Sequence, residues 1–432
     1  MIITRSKNEN AAAPQCNETD GLESKKTFFT VTRNADNGYY YLTPEKCAAL
    51  KRFQYRGGDN SLLYRYILSP FAQYLVDNFT PRWLAPNVIT LSGLCLMLTS
   101  YSFMWQYIPH LDEGLTDPDA VPRWIFLFNC FAMLAYQSLD NMDGKQARRT
   151  GSSSPLGLLF DHGCDALVTL PGSINCACLW GVSFRNDPAI AWLTIVCPAM
   201  SFFMGTWEQY VTGEMYLPII NGPSEGLIAG AAFSLVSYLW GPEFWHSATA
   251  YDTWIAPAIT SITTVEYESG RVRNCDIAYY IFLAWLVEES TTRIFGLARK
   301  YGPRAMLSLI PFALLSCASM TIYFLDSSFV LRNTRTCLHI FTAIFVEMTF
   351  SLQLNHMTDS EFRPFRYAMI PLGLIVLQLA CKGGGSPDEF LLAYAAVLWI
   401  FLLRKISLVI CDICDLLQIQ CFRISYVLCR DA

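Results

Sequence analysis

Charge is what this sequence has least of. Lys, Arg, Asp and Glu make up 16% of its 432 residues, against roughly 25% in soluble proteins. That scarcity excludes an ordinary water-soluble globule. The net charge is −5, so the basic surplus that nucleic-acid binding draws on is missing, and no nucleic-acid partner is expected. A disulfide framework is missing too. The 16 cysteines are scattered, many inside apolar runs (Cys95, Cys130, Cys176, Cys178), and read as small buried hydrophobes. The one CxxC, Cys411-Asp412-Ile413-Cys414, has no second half and no histidine partner, so a zinc or redox site lacks its other ligands. No apolar leader opens the chain, so no cleavable signal peptide is expected. No internal repeat is evident.

What is there in abundance is apolar sequence, 53% of the residues. Windows of about 20 apolar residues recur along most of the length, as a polytopic helical membrane protein requires. The expected fold is all-α, a transmembrane bundle of about ten spans. They lie near residues 88–108, 123–143, 156–182, 188–208, 223–241, 275–296, 305–324, 335–355, 364–381 and 388–404. Thr43-Pro44-Glu45 reads as a helix start. "GGDNSLLYRYILSPFAQYLVDNF", interrupted by Pro70, reads as an amphipathic segment lying on the membrane surface. Ten spans put both termini on one side. The stretch before the first span carries Lys46, Lys51, Arg52, Arg56, Arg65 and Arg82, so that side is cytosolic by the positive-inside rule. "HLDEGLTDPDA", without Lys or Arg, falls on the lumenal side, and Arg271 and Arg273 go against the rule. With a cytosolic N-terminus, the sequon Asn17-Glu18-Thr19 stays unmodified.

Against this apolar background, "SLDNMDGKQARRTGSSSPLGLLFDHGCDAL" holds four aspartates. Asp140 and Asp143 are spaced i,i+3 and share a helix face, as do Asp161 and Asp165 at i,i+4. Between them lies a polar hairpin. Gly151 and the serines make the turn, Ser154 caps the next helix and Pro155 takes its first position. Two antiparallel helices thus bring two carboxylate pairs together at the cytosolic end of the bundle. Four carboxylates at close quarters raise one another's pKa unless cations intervene. Hard oxygen ligands suit Mg2+ or Mn2+, four aspartates can hold two ions, and such a pair suits phosphoryl transfer. The bland alternative is that the aspartates cap helices or pair with Lys145, Arg148 and Arg149. Gly144, Ala147 and Gly157 are small enough for a ligand to approach the helices closely, and Arg148 can clamp a phosphate. Taken singly, each small residue serves helix packing equally well.

Asp140-x2-Asp143-Gly144-x2-Ala147-Arg148-x8-Gly157-x3-Asp161-x3-Asp165 resembles the complete signature of the CDP-alcohol phosphotransferase family. "YRGGDNSLLYRYILSPF" and "PRWLAPNVITLSG" ahead of it are similar to the eukaryotic choline/ethanolamine phosphotransferases. So are "DHGCDA", "TWEQYVTGEMYLPIINGPSEG" and "NHMTDSEF" in and after it. Roughly residues 40–365 are covered; the first 40, the stretch 242–274 and the tail after 405 match nothing comparable. The resemblance implies a ten-span homodimer in the endoplasmic reticulum or Golgi, its active site facing the cytosol. It implies transfer from CDP-ethanolamine or CDP-choline to diacylglycerol, with release of CMP. In that frame Asp140, Asp143, Asp161 and Asp165 bind the metals. Gly144, Ala147 and Arg148 match positions that accommodate the CDP moiety, and Gly157 and Asn87 sit by the same pocket, Asn87 equally readable as a helix start.

The chain then divides into a disordered cytosolic tail (1–40), an amphipathic interfacial segment (41–85) and a catalytic core (86–241). A lumenal loop (242–274), further spans with dimer and lipid contacts (275–404) and a cytosolic tail (405–432) follow. For the catalytic base, Asp165 is the family-wide candidate. His162 adjoins Asp161, titrates near neutrality and can point past the metals toward an incoming lipid, with Glu225 of "NGPSEG" assisting. His162 in a structural hydrogen bond, and Glu225 answering a helix dipole, are the bland alternatives. Trp207, Tyr210 and Tyr216 are candidates for an aromatic cage around a quaternary ammonium. Two other functions fit parts of the pattern: a family member using inositol or another acceptor, and a cation transporter with a carboxylate gate. The first is expected to be shorter and to lack "NGPSEG", and the second to show inverted repeats.

Overall fold

The computed structural model describes residues 37–109, 111, 121–258, 272–381 and 388–424. Most of the N-terminal tail, the sequon at Asn17, most of "HLDEGLTDPDA", the middle of the 242–274 stretch and the last eight residues lie outside these.

Thr43 starts the first helix as expected. Its hydroxyl accepts from the Lys46 amide at 3.4 Å, and α1 runs Pro44–Arg52. After a short strand, β1 (Gly57–Asp59), a π-helical turn at Tyr64–Leu68 leads into α2 (Ser69–Phe79). The chain does not break at Pro70. Proline has no N–H to give to the preceding turn, and the widened turn just before it absorbs that loss. α2 buries Ala72 and Val76 against Ile89 and Met142, while Tyr66, Ile67, Phe71, Tyr74 and Phe79 are exposed.

Four long helices follow: α3 (Pro86–Tyr107), α4 (Trp124–Thr150), α5 (Pro155–Trp180) and α6 (Pro188–Thr212). The hairpin between α4 and α5 is the one its residues dictate. Gly151, at φ +67°, ends α4 in the left-handed region. Ser154 Oγ accepts from the Gly157 amide at 3.2 Å, with Pro155 at the first position of α5. Strand β2 (Met215–Leu217) and a π-helical turn at Gly222–Gly226 precede α7 (Leu227–Trp240) and the short α8 (Glu243–His246). Then come α9 (Asn274–Tyr301), α10 (Ile310–Leu325), α11 (Ser327–Arg332), α12 (Thr334–Met357), α13 (Ile370–Ala380) and α14 (Asp388–Leu417).

The fold is all-α apart from the β1–β2 pair, and each of the ten apolar windows falls on a helix. Among the described residues four helical stretches are long and apolar enough to cross a membrane: Pro86–Tyr107, Pro188–Thr212, Pro303–Leu325 and Thr334–Met357. Of the others, some are shorter, α4 and α5 carry the four aspartates, and some carry charge that the interior pairs. Arg293 of α9 joins Glu208 and, at 2.9 Å, Glu289; Lys405 of α14 reaches Glu347 at 2.6 Å. α12 is the central post, buried on nearly every side from Leu338 to Leu354. α5 packs between it, α3 and α6, and α4 lies against α3 and α7.

β1 and β2 pair in parallel, Gly57 opposite Met215 and Asp59 opposite Leu217. Gly57 is required here. An added Cβ would stand 2.3 Å from the Met215 carbonyl oxygen and 2.4 Å from the Tyr55 hydroxyl. Backbone cannot yield as a flexible side chain can. Gly57→Ala is therefore expected to lower stability by about 1–3 kcal/mol, as overpacking does. Gly230→Ala meets chiefly the mobile end of Met133 and should cost less. Thermal unfolding of both variants in the same detergent checks the order; equal midpoints would show that the strand pair is not held this tightly.

Candidate active site

Near the α4–α5 hairpin the aspartates converge. One oxygen each from Asp140, Asp161 and Asp165 lie within 4.8 Å of one another. Asp143, one turn on from Asp140, is buried and accepts the hydroxyl hydrogen of Thr90 from α3. Tyr136, one turn before Asp140, donates its phenol to Asp165 Oδ1. Asp161 Oδ1 is buried with no hydrogen-bond partner. Among the described residues no ion pair joins any of the four to Lys or Arg.

The nearby cations are spent elsewhere. Lys145 Nζ bonds Ser69 Oγ at 2.8 Å, and Arg149 donates to the carbonyls of Val76 and Thr80. Gln146 Nε2 holds the carbonyls of Pro81 (3.0 Å) and Leu84 (2.8 Å). The C-terminal end of α4 is thus clasped by α2 and the α2–α3 connection, and among the described residues the pairing of the aspartates with Lys145 and Arg149 is not formed. An acidic centre of hard oxygen donors, one of them buried and unpartnered, fits Mg2+ or Mn2+.

The expected nucleotide positions surround this centre. Arg148 folds back over Gly144, where an added Cβ would meet its Nη1 at 3.5 Å. A Cβ on Gly157 would be 3.8 Å from Asn87 Oδ1, which puts the starts of α3 and α5 side by side. Ala147 lies two turns on from Asp140, the same way as Gly144. His162 looks away from the aspartates toward α12. Its neighbour Gly163 faces Phe350, its own Nδ1 is buried without a partner, and Gln353 and His356 are close. Glu225 belongs to another group of contacts. It accepts from the Ser61 hydroxyl and, at 2.9 Å, from the Asn221 amide. Asp59 closes that cluster, accepting from the Ser61 amide (2.7 Å), Asn221 Nδ2 (2.9 Å) and Ser224 Oγ (2.8 Å). Among the described residues no hydrogen bond joins Glu225 to His162.

Thr90, Tyr136, Asp59 and Ser61 were not singled out from the sequence. Two of them carried a signal: Thr90 is three residues after Asn87, and Tyr136 four before Asp140, each on the shared helix face. The aromatic cage does not assemble. Trp207 is fully buried, its indole committed to the Ala305 carbonyl (3.1 Å) and Ser308 Oγ (3.0 Å). The Tyr210 hydroxyl takes the Phe362 amide at 2.9 Å, and Tyr216 is exposed.

A helical membrane bundle with a carboxylate centre beside a serine-rich hairpin is the frame of an integral membrane protein with a hard-metal site, and comparison with known proteins specifies the family. The profile of the CDP-alcohol phosphatidyltransferase family matches residues 83–263. Choline/ethanolaminephosphotransferase 1 of Arabidopsis thaliana is 31% identical over 408 residues, covering 89% of this chain and 98% of the plant protein. Choline/ethanolaminephosphotransferase 1 of Saccharomyces cerevisiae is 28% identical over 355 residues (79% of this chain, 85% of the yeast protein). Cholinephosphotransferase 1 of the same yeast is 32% identical over 216 residues, about half of either chain. The chain belongs to the CDP-alcohol phosphatidyltransferase family.

Thr90→Val keeps the shape and deletes the donor to Asp143. Partners behind a metal ligand are commonly worth tenfold or more in metal affinity. The variant is expected to bind Mn2+ about tenfold more weakly, read by titration of the purified protein with electron paramagnetic resonance. An unchanged affinity would detach Asp143 from the metal centre.

Proposed function

We propose that this protein transfers phosphoethanolamine or phosphocholine from CDP-ethanolamine or CDP-choline to diacylglycerol, giving phosphatidylethanolamine or phosphatidylcholine and CMP. The observation that carries the reading is the convergence of Asp140, Asp161 and Asp165 without a cationic partner. It occurs in a chain aligned along nearly the whole length of a relative named choline/ethanolaminephosphotransferase. All four signature aspartates hold divalent metal, Mg2+ or Mn2+ and two ions by the number of ligands. Bound there, the metal supplies positive charge beside a diphosphate.

The diacylglycerol hydroxyl oxygen forms the new bond to the phosphorus that bears the alcohol. The bond from that phosphorus to the CMP oxygen breaks, and CMP leaves. Gly144, Ala147 and Gly157 let the CDP moiety approach the two helices, Asn87 lines the same pocket, and Arg148 clamps phosphate oxygens. The hydroxyl proton goes to His162, a reading supported by its unpartnered Nδ1; the ring, which faces α12, turns toward the aspartates to take it. Glu225 assists from the rim where Ser61 and Asn221 hold it. Asp165 is chiefly a ligand, oriented by Tyr136.

The ten helices span the membrane with both termini and the α4–α5 hairpin in the cytosol. The segment 41–85, with its exposed aromatic side on α2, lies along the membrane surface. On the family resemblance we place the protein in the endoplasmic reticulum or Golgi, as a homodimer.

CMP release from a CDP-alcohol and diacylglycerol by the purified protein tests the reaction; none in Mg2+ or Mn2+ would refute it. Excess EDTA should abolish turnover, and so should Asp140→Ala or Asp161→Ala in folded protein. His162→Ala should lower turnover by roughly 10²-fold or more while metal and CDP-alcohol still bind. Near-normal turnover with an unaltered pH–rate profile would return the base role to Asp165. For orientation, Ser153→Cys adds an exposed thiol at the hairpin. An impermeant maleimide should add label to it in sealed microsomes; extra label only after the lumen is opened would invert the topology.

A further inference from the structure

The chain beyond α14 does not trail away. The Ile419 amide bonds back to the Cys414 carbonyl at 3.1 Å, Gln418 takes a left-handed conformation (φ +55°), and Gln420 and Arg423 form an antiparallel bridge. This turn lands on the starts of α3 and α5. The Cys421 carbonyl accepts from Asn87 Nδ2 at 2.9 Å. The Phe422 ring meets Phe160 edge to face, centroids 5.6 Å apart at 83°. Phe160 immediately precedes Asp161, and Asn87 is mostly buried.

The direction of the Asn87 bond matters. A carbonyl oxygen only accepts, so it selects the nitrogen of the amide and leaves Oδ1 to the other side. That side is Gly157, a signature position. The family profile ends at residue 263, so the turn reaches the site from far outside the matched region.

We infer that residues 418–423 are a positioning element of the donor site: the Cys421 carbonyl fixes the rotamer of Asn87, and Phe422 closes the pocket wall at Phe160. This deepens the proposed function and rests on it, since the ligand on the Gly157 side is the nucleotide half of the CDP-alcohol. The turn acts through Asn87 and Phe160, and makes no demand on the acceptor lipid.

The test separates donor from acceptor. A chain ending at Leu417 and the full chain with Phe422→Ala are purified beside the wild type. KM is measured for CDP-ethanolamine and for diacylglycerol, and CMP binding by calorimetry in Mg2+. Truncation is expected to raise the donor KM and weaken CMP binding about tenfold, about 1.4 kcal/mol. Phe422→Ala should do so about threefold, with Phe422→Leu partly restoring it. The diacylglycerol KM and kcat should stay within about twofold. A donor KM unchanged in Phe422→Ala, or both KM values and kcat moving together, overturns the inference. If the truncated chain does not fold, the Phe422 variants decide. A wild type that binds CMP but turns over no CDP-alcohol would refute the proposed function instead, while the CMP affinities still judge the turn.

Discussion

Mutual repulsion among carboxylates is the constraint around which this structure is arranged. Two unit charges about 4 Å apart interact by about 4 kcal/mol at an effective dielectric of 20. Asp140, Asp161 and Asp165 are held near that separation. A chain free to relax would turn them apart, so the surrounding structure must prevent it. Thr90 and Tyr136 supply neutral donors to Asp143 and Asp165. The tight hairpin at Gly151 fixes α4 against α5, and Gln146 and Arg149 tie the end of α4 to the α2–α3 connection. Among the described residues none of these sets a positive charge against the aspartates; Arg149 is turned to backbone carbonyls. The scaffold holds the acids together and leaves their compensation to something bound.

The contrast with the other buried charges sharpens the point. Glu289 and Glu208 have Arg293; Glu347 has Lys405 and, at 3.5 Å, Arg366. Those carboxylates come with a cation, and buried Asp412 is instead answered by the Tyr40 and Tyr41 amides, because an unpaired buried charge costs several kcal/mol. Among the described residues the signature aspartates depart from that habit most closely packed, three of them with oxygens within 4.8 Å of one another. That departure, more than their number, marks them as functional.

Much of this was legible in the sequence, and the reasons are local. Helix periodicity put Asp140 with Asp143 and Asp161 with Asp165. Capping chemistry placed Thr43, Ser154 and Gly151, and the structure repeats each of those contacts. Long apolar windows located ten helices because apolarity and helix length are the same signal in a membrane protein. What stayed hidden depends on distant segments meeting. The Asp59–Asn221–Ser224 bonds join parts of the chain far apart, so Glu225 read as an assistant to His162, with a helix-start role as the alternative, and its partner Ser61 went unnoticed. The Pro70 interruption takes the form of a switch from a π-helical turn to α2 rather than a break, which residue spacing does not reveal. Trp207 looked like a cage residue since its burial against Ala305 and Ser308 is tertiary.

The parallel pairing of β1 with β2 orders the assembly of the protein in time. A ribosome delivers Gly57–Asp59 early, before any long helix has entered the membrane. The strand has no partner until Met215–Leu217 has followed, and by then α3 through α6 have been threaded past it. During that interval its backbone donors, Asp59 and Ser61 wait in water. Closing the pair therefore waits until the segments of α3 through α6 have been made. A chain halted before Leu217 would carry all four aspartates on α4 and α5 and still lack the strand that pairs with Gly57–Asp59.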